Sequence, residues 1–226
     1  FRQTSGWARN RTVYFAMSFN KPIKSYGQAA QEKSVYRGFW GRFDQTKNFP
    51  EMAGQNLKLF FDFDTNEGEK IKIKMSLSPV SSAGALENMK KETPNWDFEQ
   101  VKKDAEELWN KELSKIEVTS TDKNKLTIFY TALYHTMMQP NIAQDLDGKY
   151  RGRDNKIHQA EGFDYYTVFS LWDTFRAAHP LYTLIDKKRT SDYINTFIKQ
   201  FEQGGRLPVW ELASNETDCM IGYHSV

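Results

Sequence analysis

Ionisable side chains alternate with tryptophans in two stretches of the last third of the sequence. Residues 166–176 contain the pair Trp172-Asp173, and residues 204–224 contain Glu216 between an asparagine and a threonine. A sugar ring presents a weakly apolar face to an aromatic plane and a belt of hydroxyls to carboxylates and cationic donors. The two stretches therefore indicate a sugar-binding surface. Its candidate substrate contacts are Trp172, Asp173, Arg176, Glu216 and His224.

Each acidic position also has a structural explanation. Asp173 falls in a stretch whose apolar residues predict a helix, where Arg176 one turn later could neutralise it. Glu216 could be surface charge on a glycine-bounded loop. Paired carboxylates are, however, what glycoside hydrolysis needs, one as the acid and one as the base or nucleophile. Spacing alone leaves the two explanations even for Asp173 and favours surface charge for Glu216.

The other histidines and the single cysteine indicate no second site. His135 has the spacing of a core histidine, His158 falls in a predicted solvated loop, and His179 precedes a proline at a predicted helix terminus. Cys219 is alone, which excludes an internal disulfide, and no cysteine–histidine set has zinc spacing. Residues 145–148 resemble the opening of a calcium loop but lack its remaining ligands, so they predict a turn.

The composition excludes several classes of function. The 226 residues include 31 basic and 29 acidic side chains, which gives a net charge of +2 without a basic stripe. This pattern argues against nucleic acid as a partner. No apolar run reaches the length of a membrane-spanning helix. The 16 Phe, 11 Tyr and 6 Trp exceed what a core normally uses, so some rings should face a ligand.

The first third of the sequence has the period of β-strands. Apolar residues alternate over 12–19, and aromatic residues with two glycines predict an edge strand over 35–43. Residues 57–63 and 71–77 alternate as well, and the turn residues at 65–68 predict that they form an antiparallel hairpin. In that hairpin the apolar side chains should be buried and the lysines solvated. Four strands without an intervening helix predict part of a β-sandwich.

Helical periodicity follows the strands. A polar boundary region covers 81–95, where Pro94 should prevent a helix. An apolar stripe over 98–113 predicts a connecting helix. Further helices are predicted over 123–138, over 165–178, and from a cap at Ser191 to the glycines at 204 and 205. The aperiodic residues 140–164 are expected to line a binding site.

The order of strands and helices predicts an α+β protein with more than one domain. The predicted boundaries are 1–95 for a partial β-sandwich, 96–118 for a linker helix and 119–226 for the start of a truncated helical domain. The chain opens at Phe1 without a leader and ends at Val226 without a polar tail. We therefore expect a fragment of a longer protein.

Taken together, several motifs resemble glycoside hydrolase family 92, the calcium-dependent exo-acting α-mannosidases abundant in gut Bacteroides-type bacteria. The similarity extends over nearly the whole chain, including an early Gly-Trp-Ala and a Ser-Ser-Ala-Gly-Ala-Leu-Glu-Asn stretch. Any one motif would be weak, whereas the combination is specific. The matching segments in the second half are 128–135, 166–176, 179–181, 204–210 and 215–224.

The resemblance implies a β-sandwich packed on an (α/α)6 barrel, an inverting mechanism and a Ca²⁺ cofactor. It implies an exo-α-mannosidase, with α-1,2 linkages as the first expectation, acting on mannose-containing oligosaccharides or N-glycans. It also implies secretion to the periplasm or the cell surface. Trp172 and Asp173 match the family residues that hold the terminal mannose. Glu216 and His224 fall in a motif near the same pocket.

The resemblance also implies that part of the catalytic apparatus lies beyond these residues. The family's general acid, its water-activating aspartates and most calcium ligands come from motifs downstream of the position of Val226. We therefore expect the 226 residues alone to hydrolyse nothing. Two alternatives stay open: a non-catalytic carbohydrate-binding module with a platform formed by Trp40 and Phe60, and another (α/α)6 glycosidase or phosphorylase.

Overall fold

The computed structural model describes residues 2–4, 6–30 and 57–226. The chain divides into two units, one formed by 1–17 and 74–226 and the other formed by 18–73. The predicted edge strand at 35–43, with Trp40, lies outside the described residues. Strands prevail before residue 79 and helices prevail after it, which gives a mixed α+β fold.

The smaller unit contains an antiparallel hairpin of β3 (Ser25–Ala30) and β4 (Leu57–Asp62), whose register runs from the Ser25–Asp62 pair to Ala30–Leu57. The ring of Phe60 on β4 lies over Gly27, so that a Cβ added at Gly27 would lie 2.0 Å from Cζ of Phe60 and the ring would have to move. The predicted hairpin between 57–63 and 71–77 is wrong. The first of these segments pairs with β3, and the second belongs to a different sheet.

That second sheet has the strand order β1-β2-β5, formed by β1 (Arg2–Thr4), β2 (Arg11–Phe19) and β5 (Ile73–Ser78). β2 confirms the strand predicted over 12–19. The predicted faces of β5 are reversed, since Met75 is 62% exposed whereas Ser78 is 1% exposed. Ser78 turns inward because its hydroxyl donates to Asp145 Oδ2 at 2.7 Å and accepts from two backbone N–H groups.

The predicted boundary region at 81–95 contains a helix, α1 (Ser82–Glu92). The Ser81 hydroxyl caps it by accepting from the Gly84 N–H at 2.9 Å. Asn88 is buried on its inner face and donates to Asp145 Oδ1 at 2.9 Å. Pro94 therefore follows the helix instead of preventing it, and that expectation is wrong.

The two helices that follow confirm their predictions. They are α2 (Phe98–Leu113) and α3 (Lys123–Thr136). Asp97 and Asp122 cap their N-termini through side-chain oxygens. The rings of Trp109 and Tyr134 pack at a centroid distance of 4.7 Å and connect the two helices.

The helix predicted over 165–178 is wrong. The chain instead forms two short strands, β9 (Tyr166–Thr167) and β10 (Phe169–Ser170), separated by Val168 in the left-handed region at φ 70°. A single helical turn follows as α4 (Leu171–Thr174). Trp172 and Asp173 therefore lie in a four-residue turn at the end of a strand and not within a long helix.

Two helices complete this half of the chain, α5 (Ala178–Ile185) and α6 (Lys187–Gly204). Asp186 caps α6, so the helix begins before the predicted cap at Ser191. Gly205 ends it in the left-handed conformation, at φ 74°. The central apolar cluster lies between these helices and the strands before them, and it consists of Tyr166, Phe169, Leu171, Tyr182, Tyr193 and Phe197.

Short strands fill the remaining segments. β6 (Asn141–Ile142) pairs with β9, and β7 (Lys149–Arg151) pairs with β8 (Ile157–Gln159). β11 (Trp210–Leu212) and β12 (Asn215–Glu216) join β10 in a third sheet, with the order β10-β11-β12. Across the described ranges, none of the helices is long and apolar enough to cross a membrane.

Candidate functional site

The β10-β11-β12 sheet brings together the two stretches that the sequence singled out. Ser170 pairs with Trp210, and Glu211 pairs with Phe169 on one side and with Glu216 on the other. α4 begins at the residue after Ser170. The turn that contains Trp172 and Asp173 is therefore anchored to the sheet that contains Glu216.

Four of the five predicted contacts lie together around α4. These four residues, Trp172, Asp173, Arg176 and His224, together with Phe175 form what we call the Trp172 cluster. The imidazole of His224 stacks on the ring of Phe175 at a centroid distance of 3.9 Å and an interplanar angle of 9°. Trp172 lies 5.7 Å from the same imidazole at 57°. The terminal segment and α4 thus share one aromatic surface.

The charged members of the Trp172 cluster face solvent. The guanidinium of Arg176 lies over the ring of Phe175 at 4.9 Å and over that of Trp172 at 5.9 Å. Asp173 is exposed and accepts a hydrogen bond from the Ser170 hydroxyl. The ion pair between Asp173 and Arg176 considered above does not form within the described part of the chain, because α4 ends before Arg176 and removes the helical spacing.

His224 has an unsatisfied nitrogen. Its Nε2 is buried and has no hydrogen-bond partner within the described ranges. Gly222 makes room for the ring, because a Cβ there would lie 2.4 Å from that nitrogen. Buried polar atoms are normally hydrogen-bonded, so this nitrogen is an exception within the Trp172 cluster.

Glu216 differs from the other predicted contacts because its carboxylate is fully occupied. Oε2 accepts from Arg153 Nη2 and from the Val209 N–H, each at 2.8 Å, and Oε1 accepts from the Trp210 N–H at 3.1 Å. The side chains of Arg153 and Glu216 are only 5% and 12% exposed. These bonds give Glu216 a structural role, and direct contact with substrate stays a prediction.

A cavity of about 340 Å³ lies beside Glu216. Arg9 and Arg206 border it, and both form ion pairs with Asp218, at 3.4 and 3.2 Å. The Asn10 N–H donates to the Asn215 side chain at 3.2 Å. The loop before β2 therefore contacts β12 and the residues that follow it, through an ion pair from Arg9 and a hydrogen bond from the Asn10 backbone.

Sequence reasoning did not select Glu211, the most buried carboxylate of the region. It is 0% exposed, and its oxygens accept from the Thr167 hydroxyl at 2.8 Å and from the Val168 and Ser214 N–H groups. Burial raises the pKa of Glu211 to about 7. The sequence contains one sign of this burial, because Glu211 is the acidic residue of the otherwise apolar stretch Leu-Pro-Val-Trp-Glu-Leu.

The other histidines have ordinary environments. His135 is exposed on α3, so the predicted core position is wrong. His158 is half-buried, contacts Asp154 at 2.9 Å and stacks on Tyr150, so it is less solvated than predicted. His179 lies at the start of α5 and not at the end of the helix predicted over 165–178, and burial lowers its pKa to about 4.

The part of the chain that the structure describes contains no acidic cluster of the kind that would hold calcium. Among residues 2–4, 6–30 and 57–226, no three His, Cys, Asp or Glu side chains come close enough together to hold a metal ion. Asp145 makes the predicted turn, with its carbonyl accepting from the Gly148 N–H at 2.8 Å, and its carboxylate is bound by Ser78 and Asn88. The calcium implied by the resemblance is therefore assigned no ligands in this part of the chain.

Comparison with protein-family models decides the family. The glycosyl hydrolase family 92 N-terminal domain matches residues 1–78, and the glycosyl hydrolase family 92 catalytic domain matches residues 84–226. The chain belongs to glycosyl hydrolase family 92. The resemblance drawn from its motifs is thereby confirmed.

Solved structures of the family are similar to this family 92 chain. The α-mannosidase BT3965 from Bacteroides thetaiotaomicron is 36% identical with a TM-score of 0.82, over 97% of this chain and 29% of that protein. It has also been solved with mannoimidazole bound. The inverting mannosidase BT2199 from the same species is 27% identical with a TM-score of 0.79, over 99% of this chain and 29% of that protein.

A curated relative comes from a fungus. A secreted glycosidase of Arthroderma benhamiae, itself uncharacterised, is 30% identical over 147 residues. This match covers 63% of the family 92 chain and 17% of the fungal protein. The chain thus spans less than a third of the length of each of these relatives.

Proposed function

We propose that this chain forms the N-terminal domain and the first part of the catalytic domain of an exo-acting, inverting α-mannosidase. The observation that carries the proposal is the Trp172 cluster, an aromatic surface with exposed charged groups in a chain 36% identical to an α-mannosidase over 97% of its length. Terminal mannose of an oligosaccharide or N-glycan is the proposed substrate, with α-1,2 linkages as the first choice.

Each member of the Trp172 cluster has a role that its environment supports. Trp172 is half-buried and offers a ring face to the apolar side of the sugar. Asp173 accepts from sugar hydroxyls, and Arg176 donates to them. The imidazole of His224 stacks on Phe175 beside Trp172 and supports the aromatic surface from the terminal segment. Mannoimidazole bound to BT3965 supports a ligand of this class.

The acid and base of the reaction are assigned to residues downstream of Val226 in a longer protein. An inverting glycosidase needs two carboxyl groups roughly 6.5–9.5 Å apart with a water molecule between them. The carboxylates of Glu211 and Glu216 are occupied by internal hydrogen bonds and are poor candidates for that pair. The 226 residues alone should therefore bind sugar without hydrolysing it.

We also propose a division of the chain into three parts. A β-sandwich would cover 1–95, a linker helix would cover 96–118, and 119–226 would begin an (α/α)6 barrel. The strands described up to Ser78 support the sandwich part of this division, and α2 supports the linker helix, whereas α1 lies between them. Secretion to the periplasm or the cell surface is supported by the secreted fungal relative. Calcium binding is assigned to residues outside this part.

The rival function is a carbohydrate-binding module on the strands. Phe60 on β4 favours it, because this residue is 53% exposed and its ring lies over Gly27 on β3. A platform of this kind needs a sugar-facing ring but no acid or base. The second ring proposed for it, Trp40, lies outside the described residues.

Alanine variants of the full-length protein separate the two functions. Trp172→Ala should weaken binding of mannose or mannoimidazole by about tenfold, because the ring would no longer cover the apolar face of the sugar, and burial of roughly 50 Å² at about 25 cal/mol per Å² corresponds to ~1.3 kcal/mol. Phe60→Ala should bind like the wild type, and the wild type should release mannose from α-mannosides. Loss of binding in Phe60→Ala alone would support the module, and phosphate-dependent turnover would support a phosphorylase.

A further inference from the structure

Glu211 is a buried carboxylate outside the Trp172 cluster whose hydrogen bonds join two separate segments. One segment is the β9–β10 connection, where the Thr167 hydroxyl and the Val168 N–H donate to it at 2.8 and 2.9 Å. The other is the β11–β12 turn, where the Ser214 N–H donates to it. The carboxylate is 0% exposed, so these protein groups replace its hydration.

Both segments have backbone conformations that are unfavourable without support. Val168 has φ 70°, which is rare for a β-branched residue, and Ala213 and Ser214 have φ 50° and 61°. Such conformations persist where the surroundings fix them. The Thr167 hydroxyl also accepts from the Ala213 N–H at 2.7 Å, so Thr167 and Glu211 together connect the two strained segments.

Val168 determines how the chain enters the Trp172 cluster. Only β10, which is two residues long, separates it from α4. The backbone of β10 pairs with β11, where Phe169 lies opposite Glu211. A left-handed residue at 168 therefore sets the direction in which β10 leaves and the orientation of Trp172 and Asp173. A change at Glu211 should move these side chains, although Glu211 touches neither.

We infer that Glu211 is a positioning residue, which holds the Val168 connection and the β11–β12 turn so that Trp172 and Asp173 face the sugar. This inference rests on the proposed function for its ligand. The ionised carboxylate performs this positioning role, because only that form accepts hydrogen bonds without donating one. A proton on either oxygen would compete with the Val168 or Ser214 N–H, or would reverse the direction of the hydrogen bond with the Thr167 hydroxyl.

The pH dependence of sugar binding follows from the same contacts. The pKa of Glu211 is raised to about 7 by burial, and the groups that face it are Arg153, from the β7–β8 connection, and Tyr165, which precedes β9. Sugar affinity should therefore fall as the pH falls through about 7. Glu211→Gln mimics the neutral form and should flatten this dependence.

The test uses the full-length protein with two variants and two controls. Glu211→Gln and Thr167→Val each remove part of the connection. Thr167→Ser keeps the hydroxyl, and Glu202→Gln makes the same chemical change on the exposed surface of α6. Binding of mannoimidazole is measured by calorimetry, and amide hydrogen exchange of residues 166–176 is measured by mass spectrometry.

Glu211→Gln should weaken mannoimidazole binding about tenfold or more, since small displacements of positioned groups have effects of this size. It should also speed exchange in 166–176 but leave α2 unchanged. Thr167→Val should show both effects more weakly, and both controls should match the wild type. If Glu211→Gln fails to fold, the same two measurements on the milder Thr167→Val variant test the inference.

Two results would overturn the inference. In the first, Glu211→Gln and Thr167→Val both show the hydrogen exchange rates of the wild type in residues 166–176. In the second, exchange in 166–176 is faster but the affinity for mannoimidazole stays within twofold of the wild type. Failure of the proposed function looks different. In that case the wild type itself would not bind mannoimidazole, whereas the exchange measurement would still show whether Glu211 fixes the segment.

Discussion

The Trp172 cluster and the two carboxylates of β11 and β12 show opposite uses of the same residue types. In the cluster, Asp173 and Arg176 are exposed, and His224 has an unpartnered nitrogen. On the neighbouring strands, Glu211 and Glu216 accept hydrogen bonds from several protein donors each. The difference indicates that free hydrogen-bonding capacity, more than the presence of acidic and aromatic residues, marks the surface that can bind a sugar.

Position in the third sheet explains the difference. The Trp172 cluster begins where β10 leaves the sheet, so its side chains project from a short turn. Glu211 and Glu216 form a cross-strand pair within the β11–β12 hairpin, where backbone N–H groups surround them. One region offers its polar atoms to a ligand, and the other uses them to hold the fold.

The largest expected effect is on stability, at Glu216. Glu216→Ala leaves the nearly buried Arg153 without its partner and should lower the free energy of unfolding by about 3–5 kcal/mol. Glu202→Ala on the surface of α6 should change it by less than about 0.5 kcal/mol. Thermal or chemical unfolding of the full-length variants measures both. Equal stability of the two variants would contradict the structural role of Glu216.

The second effect is the pH dependence of stability at Glu211. Its pKa rises from 4.5 to about 7 on folding, so between these values the folded state holds a proton that the unfolded state has released. The Glu211 contribution to the free energy of unfolding should therefore fall with rising pH, by about 3 kcal/mol at most across that window. Unfolding of the wild type and of Glu211→Gln at several pH values gives the difference between their free energies of unfolding. This difference should change with pH between about 4.5 and 7 and should be constant below pH 4.5.

A wild-type curve parallel to that of Glu211→Gln would show that Glu211 does not titrate in this window. Global stability and sugar binding should respond in opposite directions. Protonation relieves the burial of a charge, whereas it removes an acceptor from the Val168 connection. Measuring both on the same samples separates the structural effect from the positioning effect.

Local patterns in the sequence predicted the regular elements well. α2 and α3 have clear apolar stripes and aspartate caps, and β2 alternates over its whole length. These successes depend on periodicity and capping, which act over a few residues. Four of the five members of the Trp172 cluster were selected from the sequence, and their contact with a sugar stays a prediction.

The failures depend on contacts between distant residues. The pairing of β4 with β3 joins segments separated by the undescribed residues 31–56, which no local turn signal reveals. The face of β5 is set by the Ser78–Asp145 bond, 67 positions apart. The helix expected over 165–178 is interrupted at Val168, whose conformation is held by Glu211. The last two outcomes depend on a buried polar partner that hydrophobic periodicity does not show.

The smallest expected effect on stability, and the most direct test of the account, is Asp173→Asn in the full-length protein. Asp173 is exposed, so the substitution should change the free energy of unfolding by less than about 0.5 kcal/mol. Release of mannose from an α-mannoside should nevertheless fall at least tenfold, because the amide replaces a charged acceptor of sugar hydroxyls. Wild-type mannose release by a stably folded Asp173→Asn variant would contradict the claim that the Trp172 cluster binds the sugar.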